Sequence, residues 1–109
     1  MRFSDHILAA SAQFHGVTIG QIKATGREAP LPAARKFFAY LCHKETGLRK
    51  SEIGRVMRRD HSSVFSAIEA IENTMSDSLQ MQLDMVLEVA INRMNFSTMQ
   101  AVSRHQANT

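Results

Sequence analysis

The stretch Lys50-Ser51-Glu52-Ile53-Gly54-Arg55-Val56-Met57-Arg58-Arg59-Asp60-His61-Ser62-Ser63-Val64 decides the fold. Ile53, Val56 and Met57 recur at helical spacing and predict a short helix over 50–57. Arg58-Arg59 makes a tight connection, and Asp60 is a favourable N-cap for a second helix reaching about Met75. Val64, Ile68, Ile71 and Met75 then line one face of that helix at i, i+4, i+7 and i+11. Two helices joined by two residues match a helix-turn-helix. Short helix pairs also occur in ordinary bundles, so the chemistry of the second helix has to carry any functional reading.

That chemistry is concentrated at its start. Asp60, His61, Ser62 and Ser63 are polar, and the apolar stripe begins only at Val64. In a helix-turn-helix the first residues of the second helix point into the DNA major groove while later turns pack on the core. An aspartate can accept from a cytosine amine and a serine can donate or accept at a base edge. A histidine can do so through either ring nitrogen. The same string can also act as a helix cap and no more. The flanking Arg58 and Arg59 favour the interface, because they would sit beside phosphates if the helix docked.

Working outward, every other segment reads as helix. Ile7, Ala10, Ser11 and Phe14 give a helical stripe over 5–15, broken by Gly16-Val17. Thr18 with Gln21 three residues on forms a capping-box pattern for a short helix ending near Thr25-Gly26. A basic loop with Pro30 and Pro32 leads into a third helix from about Pro32 to Thr46. Its buried stripe is Ala34, Phe37, Phe38 and Leu41, and Gly47 is its expected stop. A last helix starts near Ser78 with Leu79, Leu83, Leu87, Ile91 and Met94 on one side. Residues 97–109 are polar without a stripe and read as a frayed tail, so the folded domain is placed at 1–96.

Composition fits one all-α domain. The chain has 109 residues, 44% hydrophobic and 21% charged, enough for a single modest core. No apolar run is long enough for a membrane span, and the apolar stretch near the N-terminus is too short for a signal peptide. The single Cys42 excludes a disulfide scaffold, and a reduced, cytoplasmic setting is expected. The net charge is +3, yet residues 23–61 hold ten cations against four anions. Such a basic middle is the electrostatic footprint of a polyanion, although chance clustering on a solvated surface gives the same count.

Three short motifs carry a resemblance. Ala34-Arg35-Lys36-Phe37-Phe38-Ala39-Tyr40-Leu41, then Ser51-Glu52-Ile53-Gly54, then Arg59-Asp60-His61-Ser62-Ser63-Val64 resemble the C-terminal DNA-binding domain of the bacterial replication initiator DnaA. That family shows A-R-Q-x-A-x-Y-L, E-I-G and R-D-H-[ST]-T-V in this order. The resemblance covers about residues 5–95. It implies an all-α, six-helix, Trp repressor-like domain containing a helix-turn-helix and binding double-stranded DNA, with a basic loop in the neighbouring minor groove. Asp60, His61 and Ser62 match the base-reading positions, Ser63 matches a second hydroxyl position with a base or phosphate role, and Arg27 matches the loop arginine. Arg35, Lys36 and Arg59 match backbone-contacting positions, with Arg58 beside them and Lys50 and Ser51 where helix four meets DNA.

The sequence departs from the pattern in four ways. The two glycines before R-D-H become a one-residue-shorter Met57-Arg58-Arg59, the threonines become Ser62 and Ser63, L-P becomes Lys50-Ser51, and a helix-three lysine becomes His43.

No P-loop pattern is present in these residues, so neither ATP chemistry nor any other cofactor or enzymatic activity is expected. Nor is a metal expected, since the five histidines lack zinc-ligand spacing. Cys42 and His43 are adjacent on a helix, about 100° apart, and cannot act as nucleophile and base. Cys42 reads as a core residue and the methionines at 75, 81, 85, 94 and 99 as gap-fillers. The expected role is that of a lone DNA-binding domain in the nucleoid, modulating replication initiation or transcription by competing or cooperating with an initiator. The alternative is a helical adaptor or dimerisation module that uses Met85, Leu87 and Ile91 as its seam.

Overall fold

The computed structural model describes residues 1–107 and contains six helices and no strand among them. They are α1 (Phe3–His15), α2 (Ile19–Lys23), α3 (Leu31–Glu45), α4 (Lys50–Met57), α5 (His61–Asn73) and α6 (Asp77–Ala107). No helix is long and apolar enough to cross a membrane among the described residues.

Local chemistry sets most boundaries. Gly16 ends α1 in the left-handed region at φ 68°, where a glycine pays no Cβ penalty. Thr18 Oγ1 accepts from Gln21 N at 3.0 Å while Gln21 Oε1 accepts from Thr18 N at 2.9 Å, the reciprocal box expected of this spacing. Pro32 lies in the first turn of α3, where its missing N–H costs nothing. Gly47, by contrast, is not the stop. Thr46 ends α3 with an extended backbone, and its hydroxyl donates to the Cys42 carbonyl at 2.6 Å and accepts from Leu48 N at 3.2 Å.

The core is organised around α3, which contacts all five other helices. Ala34, Phe37, Phe38 and Leu41 are buried as their spacing predicts, and Phe38 is fully enclosed. Ile7, Ile22, Ile53, Val64, Ile68 and Ile71 close on them from α1, α2, α4 and α5. Each such side chain contributes roughly 1.5–3 kcal/mol relative to exposure. Cys42 is buried too, and burial, with Asp5 adding to it, pushes its thiol up to about 12.

Several expectations are corrected. Phe14 is not buried; its ring stacks on Phe37 at 5.8 Å while remaining partly in solvent. Because α5 stops at Asn73, with Thr74 capping, Met75 falls outside the helix and is exposed. On α6 the buried residues are Leu83, Val86 and Ala90, with Leu79 and Leu87 partly covered, while Ile91 is exposed. The face follows 3.6 residues per turn and drifts away from a four-residue ladder. Met81, Met85 and Met99 are exposed rather than filling gaps. Residues 97–107, expected to fray, continue α6 as helix; positions 108–109 of the expected tail lie outside the described residues.

Candidate nucleic-acid interface

α4 and α5 meet through a turn whose tightness depends on Gly54. A Cβ there would collide with the Arg59 carbonyl oxygen and press on Val64 Cγ2 at 3.3 Å. The same approach lets Arg59 N donate to the Gly54 carbonyl at 2.7 Å. Arg58 takes the left-handed conformation, φ 56° and ψ 47°, in the region where a glycine is the usual occupant. Holding a side chain there carries a strain of roughly 1–2 kcal/mol.

Asp60 then caps α5. Its Oδ1 accepts from Ser63 N at 2.8 Å and from the Ser62 hydroxyl at 3.1 Å. The Ser63 backbone bond first, then the seryl hydroxyls, hold its carboxyl below the usual aspartate range. Capping is therefore real, and it uses one carboxylate oxygen. Asp60, His61, Ser62 and Ser63 are all exposed, so the polar quartet stands outside the core while Val64 is fully buried.

Cations flank this quartet on both sides. Toward α3, an open cleft is lined by Arg27, Lys36, Arg59, Ser62, Ser63 and Ser66, together with Pro32, Arg35 and Ala67. Toward α4, a second cleft is lined by His43, Leu48, Arg49, Lys50, Ser51 and His61. Arg58 joins Arg27, Arg59, Asp60 and Ser63 around a third hollow at the turn. All eleven residues singled out from the sequence thus border the start of α5.

Their roles are not alike. Arg27, Lys36, Ser51 and Arg58 are exposed, but Arg35 is only 9% exposed and is turned inward. Its guanidinium donates to four carbonyls, Nε to Ile22 at 2.9 Å, Nη1 to Gly26 at 2.6 Å, and Nη2 to Gln21 at 3.0 Å and Ala24 at 2.9 Å. Burial first, and the Arg59 charge second, lower its pKa. With four of five N–H donors committed, Arg35 is a scaffold for the loop that presents Arg27 rather than a free phosphate contact. Arg59 is partly committed in the same way, donating to the Arg58 carbonyl at 3.1 Å and to the Ala24 carbonyl.

The structure adds residues that the sequence reading passes over. Phe65 and Ser66 are exposed on α5 one turn after His61 and Ser62, and Arg49 lines the α4 cleft. The i+4 spacing from His61 and Ser62 is the signal that points to the first two.

Comparison with known proteins agrees with this geometry. The family described as bacterial dnaA protein helix-turn-helix matches residues 4–71. The chromosomal replication initiator protein DnaA of Mycobacteroides abscessus is 30% identical over 70 residues, which is 64% of this chain and 14% of that protein. The chain thus covers a small part of that relative's length, and α6 lies beyond the family match. The matched segment takes in α1 to α4 and most of α5, turn included, and the chain belongs to the bacterial DnaA helix-turn-helix family.

Proposed function

We propose that this domain binds double-stranded DNA with sequence preference, inserting the start of α5 into the major groove and Arg27 into the adjacent minor groove. The observation that carries the reading is the exposed quartet Asp60 to Ser63 between two cationic flanks. Asp60, His61, Ser62 and Ser63 read bases; Lys36, Lys50, Ser51, Arg58 and the unspent donors of Arg59 engage phosphates. No enzymatic step is assigned. The binding unit is residues 1–96, a bound supported by Ala90 being the last buried side chain of α6 among the described residues. Acting on the nucleoid, the domain modulates replication initiation or transcription by competing or cooperating with an initiator at shared sites.

Selection from a random duplex library tests this directly. A defined site should emerge, with affinity falling steeply as salt rises. His61→Ala or Ser62→Ala should cost roughly 1–3 kcal/mol at one base pair and relax preference there. Unchanged specificity in His61→Ala would overturn the assignment of α5.

One observation favours the adaptor reading. Met81, Met85, Phe96 and Met99 are exposed on the side of α6 away from Leu83, Val86 and Ala90. An adaptor without nucleic-acid contacts would show no duplex affinity at any salt concentration.

A further inference from the structure

α5 carries one group that neither its core nor its polar tip explains. Val64, Ala67, Ile68 and Ile71 complete the buried face, yet Phe65 is 52% exposed. It lies one turn beyond His61 on the same face, on the side of α5 that carries the proposed base-reading residues. The Lys50 ammonium from α4 sits 5.7 Å from its ring centroid, a cation–π contact that ties the ring to the cationic flank.

A flat apolar ring is a poor partner for phosphates and for base amines or carbonyls. Within the major groove the apolar feature of the unmodified bases is the thymine C5-methyl group. Ser62 and Ser63 have no methyl with which to meet it, whereas the Phe65 ring is exposed and large enough to cover one. Resting on the DNA-binding reading above, we propose that Phe65 is a specificity-determining residue that recognises a thymine methyl one step deeper along the groove than the base read by His61. Lys50 steers the ring and engages the phosphate beside that base.

The test replaces each thymine of the selected site, one at a time, with deoxyuridine, which lacks only the methyl. Wild-type protein should lose about fourfold in affinity at one position, the value of one buried methyl group. Phe65→Ala should bind the thymine and uracil duplexes equally, and Phe65→Leu, which keeps an apolar side chain, should retain discrimination. Indifference of the wild type to uracil at every position overturns the proposal and leaves DNA binding intact. So does a selected site with no thymine in the half-turn facing α5, or a Phe65→Ala variant that still discriminates. Failure to select any duplex overturns both readings.

Discussion

Gly54→Ala adds one methyl group to the α4–α5 turn, and the structure sets what it costs. The new Cβ meets the Arg59 carbonyl, which is backbone and cannot swing aside, as well as Val64 at 3.3 Å. Forcing extra volume into such a site costs about 3 kcal/mol at the upper end of the usual range. Separating the strands of the turn also stretches the 2.7 Å hydrogen bond from Arg59 N to the Gly54 carbonyl, worth about 1 kcal/mol. Alanine returns about 1 kcal/mol through its better helix propensity. The net loss is about 3 kcal/mol, or a melting point lower by roughly 12 °C for a domain of this size. Urea unfolding followed by circular dichroism reads it, with Gly47→Ala as the control. Nothing lies within 4 Å of a Cβ at Gly47 and its φ is not positive, so that change should be neutral or stabilise by up to about 1 kcal/mol. If Gly54→Ala matched Gly47→Ala, the close approach of the turn would not exist.

Three further outcomes follow from the same region. Arg58→Gly should raise stability by about 0.5–1 kcal/mol, the left-handed strain relieved less the added chain entropy, while removing one exposed cation; equilibrium unfolding beside a salt titration of duplex binding separates the effects. Arg35→Met should destabilise the free protein by about 3 kcal/mol in thermal unfolding, and Arg35→Lys should not restore it, because one ammonium cannot reach four carbonyls; a simple phosphate contact would leave the free protein's stability unchanged. Asp60 has a folded pKa below its unfolded value, so its contribution is present above about pH 4 and is lost as pH falls through the folded pKa; Asp60→Asn keeps a capping oxygen without the titration and should flatten the acid limb of stability against pH.

Much of this architecture was legible from side-chain spacing. Helix α2 carries its own capping box, α4 its own stripe in Ile53 and Met57, and the buried face of α3 follows from Ala34, Phe37, Phe38 and Leu41 alone. The quartet at the start of α5 was legible too, because polar residues at a helix start followed by an apolar stripe have few other arrangements. What the sequence concealed was long-range. Arg35 looks like a surface cation in any local window; only the packing of α2 and the loop after it against α3 supplies the carbonyls of Gln21, Ile22, Ala24 and Gly26 that draw it inward. Likewise Met81, Met85 and Met99 read as core by residue type, but α6 has one partner-facing side and these lie elsewhere. The end of α3 near Thr46 is legible, but the hydroxyl that makes it is not, because a neighbouring glycine is the commoner signal and a threonine hydroxyl bond leaves no pattern in composition.

The Ala24 carbonyl accepts from both Arg35 and Arg59. One oxygen atom therefore fastens the loop bearing Arg27 to α3 and to the turn that aims α5. On the proposed docking, Arg27 and the start of α5 are the two jaws of a caliper, and this shared oxygen is one of the pins that set their separation. Sites whose two halves differ by one base-pair step in spacing should then bind more weakly, which duplexes with a single inserted pair would read directly.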